Sequence, residues 1–494
     1  MNLVADFIAH SIRGTARLVL FTATVIGILG AAPVHGAPKD DRPPNLVVIV
    51  TDNQPHWAMG CAGNKIISTP HLDRLAREGV RFKNAFVTTP ICAASRASHF
   101  TGQYRRRHGF TFNTAPFSAN LAASSYPALL RKGGYLTALI GKFGIESNGK
   151  LMVENQERSL GLMFDHFDNF EHWGNSGPQG YFVTQPDGSK RHLTDVTADK
   201  ATSFLRNQLY LKGRRPFCLT LFFNAPHAQD DDPKQYFWPA RFEGLYQDAT
   251  VPAPHNSDPA FFESQPAFLK SSLGRERWRW RFDTPKKYQS MMKGMFRMVS
   301  GIDDAVGRVR TELKRLHLDD RTIILFTSDN GMLFGERGLS DCWLLYEESI
   351  RVPLIVYDPR ITRKTDQNIV REELALNLDL APTLLDFAGL RSKTTLDGRS
   401  LRPLLKDVPP KKWRDDFLCE HLFVHEKIPK SEGVRSREWK YIRYFDEDPI
   451  HEELYDLIAD PSERTNLASS PSHTAQLATL RDRCAELLRE ARSK

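Results

Sequence analysis

The stretch "NLVVIVTDN", Asn45 to Asn53, constrains the fold more than any other. A short, continuous apolar run that breaks off into polar residues suits a strand buried on both faces, the kind found in parallel sheets. "RTIILFTSDNG" repeats the design far down the chain and ends in Asp329-Asn330. "PFCLTLFFNAPH" does so again and ends at His227, and "RVPLIVYDP" is a fourth run of the kind. Helical patterns lie between them, such as "TPHLDRLAREGVRF", "SYPALLRKGGY" and "YQSMMKGMFRMVSGIDDAVGRVRTELKRL". Strands alternating with helices predict an α/β fold built on a large, mostly parallel central sheet flanked by helices. Such sheets bind ligands beyond the carboxyl ends of their strands. Asp52, Asn53, His227, Asp329 and Asn330 all fall there.

The end of the chain reads differently. "EGVRSREWKYIRYFD" and "EELYDLIADPSERTNLA" suit short antiparallel strands and turns, and "TAQLATLRDRCAELLREARSK" suits a closing amphipathic helix. The Pro- and Lys-rich "LKDVPPKKW" marks a boundary, which divides the chain into a main domain over 37–405 and a smaller α+β subdomain with an antiparallel sheet over 406–494. The first 36 residues read as a signal peptide: Arg13 and Arg17 precede an apolar run from Leu18 to about Ala32, and small residues suited to cleavage follow near Gly36 or Ala37. An uncleaved N-terminal anchor is the other reading. Both place the folded part outside the cytoplasm, periplasmic or secreted.

Length and charge narrow the classes further. The chain has 494 residues and a net charge of +8, which leans towards anionic partners. The basic residues are scattered and match no nucleic-acid-binding motif, so no nucleic-acid partner is expected. Six cysteines, none in a CxxC pair, give no zinc or redox motif and no disulfide framework, although one or two bridges could form. Oligomeric state leaves no trace in the sequence.

Asp52-Asn53 and Asp329-Asn330 together offer two carboxylates and two amide carbonyls, a hard-oxygen set suited to calcium or magnesium. Taken singly, each pair also reads as turn residues after a strand.

"CAASRASHFTG", starting at Cys92, resembles the signature of the formylglycine-dependent sulfatases of the alkaline-phosphatase-like superfamily, C-x-[PA]-S-R followed by Thr-Gly. The resemblance extends over nearly the whole exported chain and is strongest to exported bacterial glycan sulfatases. "ISTPHLDRLAREGVRFKNAF", "GKFG", "NAPH", "FTSDNG…GERGLSDCWLLYEESIRVPLIV" and the C-terminal segments follow in the family's order. It implies that Cys92 is oxidised by a formylglycine-generating maturation enzyme to an aldehyde, which hydrates to a gem-diol. A serine in that place would form a stable sulfate ester and stall. A gem-diol has a second hydroxyl, and loss of its proton expels sulfate and restores the aldehyde.

The same resemblance assigns one divalent cation, calcium or magnesium, to Asp52, Asn53, Asp329, Asn330 and the modified Cys92. Arg96 would hold the nucleophile and the metal-ligand carboxylates, Lys142 a sulfate oxygen, and His227 would touch the sulfate and protonate the leaving alcohol. The substrate implied is a sulfated carbohydrate or a small sulfate ester. Related readings are a phosphate or phosphonate ester hydrolase with the same machinery, and a glycan-binding protein that has lost turnover.

Five positions depart from the usual family pattern. Asn53 stands where a second aspartate is usual, Gly144 where a histidine is usual, Arg337 where histidine is common, Cys342 where a lysine often contacts sulfate, and Ala94 where proline is commoner, although alanine is also seen in the bacterial form of the signature. His99, His108 and Arg337 are the candidates to compensate. The insert from Ala228 to Lys287 reads as a long, mostly irregular segment. Its "GRERWRWRF" could lay Trp278 and Trp280 against sugar faces while Arg279 and Arg281 grip anionic groups; the alternative is tryptophans packed on the body and arginines in solvent.

Overall fold

The computed structural model describes residues 42–492 apart from 113, 148–149, 152–153, 171–179, 212–214, 231 and 362–367. The expected signal peptide, 1–36, lies outside the described residues. The described residues from Pro43 onwards form one compact unit.

The central sheet is built from β1 (Asn45–Thr51), β2 (Val80–Phe82), β3 (Leu136–Gly141), β4 (His166–Asn169), β5 (Phe217–Phe222), β6 (Thr322–Ser328), β7 (Leu354–Tyr357) and β8 (Ile369–Arg371). Its order is β8-β2-β7-β6-β1-β5-β3-β4. β1 runs parallel to both β5 and β6, and β3 and β4 continue the parallel run. The fourth apolar run breaks the expectation of a like strand: β7 is antiparallel to β6 and to β2. An apolar run records burial on both faces but not the direction of travel, which the connection decides. The β6–β7 connection carries no long crossover helix, its helices being the short turns Glu336–Gly338 and Glu347–Ile350.

Alternation along β1 sends Leu46, Val48 and Val50 into one core and Val47 and Ile49 into the other. α2 (Cys92–Thr101) packs on the first face through Ala93, Ala97 and Phe100. α1 (Pro70–Glu78), α3 (Leu193–Leu211) and the long α5 (Pro285–Arg315) cover the second through Leu72, Leu75, Ala198, Leu205, Met295 and Val299. Each large apolar side chain buried there contributes about 1.5–3 kcal/mol.

The insert is more ordered than its sequence suggests. Among its short helices, α4 (Leu273–Arg281) holds the whole Arg/Trp segment and starts at Ser272, whose hydroxyl accepts the Arg275 amide. The C-terminal strands β9 (Asp416–His421), β10 (Ser431–Ser436), β11 (Trp439–Tyr444) and β12 (His451–Asp456) form an antiparallel meander. α6 (Thr474–Arg492) lays Leu477, Leu480 and Leu488 on it. The Glu420 amide of β9 donates to the Thr88 carbonyl at 2.9 Å, which ties the meander to the segment just before Cys92. Among the described residues no helix is long and apolar enough to cross a membrane. All six cysteines are free thiols.

Candidate active site

β1 and β6 are paired in register, Thr51 opposite Ser328, so both Asp-Asn pairs emerge side by side at the sheet's carboxyl edge. The Asp329 amide donates to the Thr51 carbonyl at 3.0 Å, and the Asp52 amide to the Ala225 carbonyl at 3.1 Å. Asn53 takes a left-handed backbone, φ 63°, which asparagine tolerates better than most residues. Its amide donates to Asp329 Oδ1 at 3.2 Å.

Cys92 opens α2, and Arg96 lies one turn further on the same face. Arg96 is fully buried. Its Nε donates to Asp329 Oδ2 at 2.8 Å, its Nη2 to Asp52 Oδ2 at 3.1 Å, and its Nη1 to the Lys142 carbonyl. The guanidinium stands 4.9 Å from the centroid of the Phe222 ring. Lys142 leaves β3 with its amide bonded to the Phe222 carbonyl and its Nζ 2.6 Å from Asp52 Oδ2. His227 follows β5. Its Nδ1 pairs with the Ala228 carbonyl at 2.6 Å, so that nitrogen carries the proton. The ring lies within electrostatic reach of Asp52 and Asp341.

Burial works against charge on Asp52, but Lys142, His227 and Arg96 outweigh it and hold the carboxyl well below the usual carboxylate range. Asp329 goes the other way: burial and the neighbouring Asp52 charge push it up, against Arg96 and Lys142. Burial pushes the Cys92 thiol up to about 12, so the unmodified side chain is a poor nucleophile. Two buried acceptors, Asp52 Oδ1 and Asn330 Oδ1, have no hydrogen-bond partner. Leaving such atoms unsatisfied costs about 1–3 kcal/mol each. Two orphaned oxygens beside a second carboxylate fit a hard divalent cation. Asn53 Oδ1 accepts from the Asn330 amide and keeps a second lone pair for a ligand shell.

The structure sorts the departures. Gly144 has φ +73°, and a Cβ there would lie 2.4 Å from Arg96 Cδ. With Arg96 seated as it is, this position has no room for a histidine. Arg337 does not compensate: it is buried against Tyr346, 3.6 Å from the ring centroid, and donates to Gln265 Oε1 and the Glu463 carbonyl. His108 is spent on Ser98 Oγ and the Phe110 amide. His99 is buried and pushed down to about 3 by burial and by Arg96, so it is neutral and cannot clamp an anion by charge. Cys342 is a buried thiol within electrostatic reach of Cys92, Asp329 and Asp52, raised well above its ordinary range by burial and then by Asp341.

The cation beside Cys342 is one the sequence reading passed over. Arg277 of α4 lies within electrostatic reach of Cys342, 4.8 Å from the centroid of the Trp343 ring. Its Nη1 bridges Asp230 and Asp341. Arg281, one turn on, is buried between the same two carboxylates and Gln235, so it cannot grip a ligand. Arg279 and Trp280 are exposed, whereas Trp278 packs against the body under Arg275, 3.8 Å away. The usable signal was the i, i+4 spacing of Arg277 and Arg281, which puts both on one helix face.

Comparison with known proteins followed the same outline. The model of the sulfatase family matches residues 44–390, and that of the N-sulphoglucosamine sulphohydrolase C-terminal region matches 335–490. An N-acetylglucosamine-6-O-sulfatase of Bacteroides thetaiotaomicron is 27% identical over 87% of this chain and 83% of its own. A choline-sulfatase of Rhizobium meliloti is 30% identical over 88% and 85%. A solved structure in complex with its substrate D-glucosamine-2-N,6-O-disulfate superposes with a TM-score of 0.76 at 26% identity, covering 91% of this chain and 98% of that one.

Proposed function

The chain belongs to the sulfatase family and is a sulfuric ester hydrolase, and we propose that it removes sulfate from a sulfated carbohydrate through a formylglycine made from Cys92. The observation that carries the mechanism is the buried cluster itself: Cys92 at the start of α2, Arg96 across both aspartates, Lys142 on Asp52, and two orphaned oxygens. Asp52, Asn53, Asp329 and Asn330 would hold one calcium or magnesium ion together with the modified Cys92. When bound, that ion supplies Lewis-acid polarisation of a sulfate oxygen and favours the ionised nucleophile. Formylglycine supplies an attacking hydroxyl with a second one to expel the product.

The remaining work falls to the chain's own side chains. Asp52 and Asp329 together balance the charges of Arg96 and Lys142, so a divalent cation leaves the pocket positive and matched to a sulfate ester. Arg96, pinned at three nitrogens, fixes the two carboxylates relative to α2 and so to residue 92. Lys142 offers Nζ to a sulfate oxygen. His227, its Nδ1–H anchored on the Ala228 carbonyl, would pass a proton to the departing alcohol through Nε2 when that nitrogen is protonated as well, as the imidazolium.

The sugar reading is supported by one relative named for N-acetylglucosamine-6-O-sulfate and by the disulfated glucosamine in the solved neighbour. The choline-sulfatase likeness favours a second reading, a small sulfate ester. Residues 1–36 would direct export to the periplasm or beyond, with a catalytic domain over 37–405 and a C-terminal subdomain over 406–494, and a maturation enzyme would act on Cys92. The test is mass spectrometry of the peptide carrying residue 92, paired with Cys92→Ala. Formylglycine should replace cysteine in the native protein, and the variant should fold normally yet lose turnover. An active C92A enzyme would sink the mechanism. Activity on sulfated glucosamine but not on choline sulfate separates the two substrate readings.

A further inference from the structure

A second polar cavity lies between the loop that leaves β1 and the start of β7. Its volume is about 250 Å³, and His56, Met59, Arg81, Lys83, Arg351 and Pro353 are among its walls. Arg81, Lys83 and Arg351 are cationic and none of the ten lining residues is acidic, while burial, and after it Arg351, push the His56 imidazole down to about 3, so that ring is a neutral polar group.

Nearby carboxylates offset only part of that charge. Lys83 pairs with Glu372 at the exposed rim. Arg351 donates Nε and Nη2 to the neutral Lys83 carbonyl, at 3.0 and 2.8 Å, and Nη2 also to Asn84 Oδ1 at 3.1 Å, which leaves Nη1, 4.0 Å from the Glu347 carboxylate, to face an anion. Glu347 is already claimed by Arg435 and Lys440. Arg81 projects from β2, and its Nε is buried with no hydrogen-bond partner. Nδ1 of His56 is buried and unpartnered as well. Burial and the crowding of like charges by Arg435 and Arg81 push the Arg351 guanidinium down, with only Glu347 opposing. A buried guanidinium Nε without an acceptor, on a cavity walled also by a second guanidinium and a neutral imidazole, calls for an acceptor-rich anion.

We propose that this cavity binds a small tetrahedral oxyanion, sulfate or phosphate, between Arg81 and Arg351 with the His56 ring as a further donor. A guanidinium meets such an ion through two parallel N–H···O bonds, and the cavity leaves room for hydration water beside it. His56 lies three residues after Asn53 on the same loop, so an anion held there would also brace the loop that carries Asp52 and Asn53.

The experiment is calorimetric titration of inorganic sulfate, and separately phosphate, into the calcium-loaded full-length enzyme at low ionic strength, comparing wild type with Arg81→Gln. The wild type should take up one more anion per chain than the variant, while kcat on a small aryl sulfate stays within about twofold, because Arg81 projects from β2 and the groups its charge reaches include His56, Cys61 and Arg351. Equal stoichiometry and affinity in the two proteins would overturn the site. So would a variant that loses only its use of a sulfated oligosaccharide while binding free sulfate as the wild type does, since the cavity would then be a glycan subsite. If Arg81→Gln fails to fold, His56→Ala serves instead: affinity for the extra anion should fall about tenfold, and unchanged affinity would refute the proposal.

Discussion

Gly144→Ala tests whether the empty place beside Arg96 is a requirement of the site. The substitution adds one methyl group. That carbon would sit 2.4 Å from Arg96 Cδ and 2.9 Å from both Nε and Nη1, well inside contact distance. A flexible side chain could swing aside, but this one is fastened to Asp329, Asp52 and the Lys142 carbonyl and closed over by Phe222. Two costs combine. A left-handed backbone without glycine costs about 1–2 kcal/mol. Prising a buried guanidinium off its carboxylates costs about 3–5 kcal/mol, of which backbone adjustment at residue 144 can relieve a part. A total of about 3–5 kcal/mol is expected. Gly109→Ala isolates the first term: it has φ +70°, and a Cβ there would meet nothing within 4 Å. Urea unfolding of the metal-free proteins should place Gly109→Ala about 1 kcal/mol below wild type and Gly144→Ala several kcal/mol lower still. kcat/KM on an aryl sulfate should collapse only in the second. If the two variants are equally stable and equally active, Arg96 is not pinned and the account of position 144 is wrong.

Calcium should raise the melting temperature of the wild type and leave Asp329→Ala unmoved, and chelation should abolish turnover reversibly; a metal-free enzyme with full activity would refute the assigned ligands. In α4, Arg281→Ala should cost about 3–5 kcal/mol because it leaves Asp230 and Asp341 buried with half their counter-charge, while the exposed Arg279→Ala should stay within about 0.5 kcal/mol. Equal effects in denaturant melts would contradict the buried clamp. Burial and the neighbouring Glu348 push Glu336 up to about 8. The folded state therefore holds that proton more tightly than the unfolded chain does, and stability is lost as pH rises from about 4.5 through 8. Glu336→Gln should remove a few kcal/mol of that loss, so its advantage over wild type should grow from pH 5 to pH 8; parallel pH–stability curves would rule this out.

Most of the frame was legible in the sequence because burial leaves a direct trace. The apolar runs before Asp52, His227 and Asp329 announced central strands, and the polar residues after them announced the functional edge. Direction left no such trace, and β7 turned out antiparallel. The site was legible where chemistry demands a residue type, as at Cys92 and Arg96, and opaque where it depends on which way a side chain turns. Arg337 and Arg281 look like available cations on paper, yet one is folded under Tyr346 and the other is locked between two aspartates. Arg277 differs from Arg281 by a single turn of helix and ends up beside Cys342. The glycine at 144 looked like a loss; in three dimensions it is the room that Arg96 occupies.

The pairing of β1 with β6 also governs when the enzyme can exist during synthesis. Ser328 Oγ reaches the Thr51 carbonyl across 277 residues of sequence. Contacts so distant form late, since a long stretch of backbone must be closed before any of them is rewarded. A nascent chain that has not yet extended past Asn330 carries Cys92, Arg96, Lys142 and His227 but only half of the acidic ligands. Turnover thus waits on the closure of β6 onto β1, and a chain cut off before residue 329 would carry the signature cysteine without a working catalytic centre.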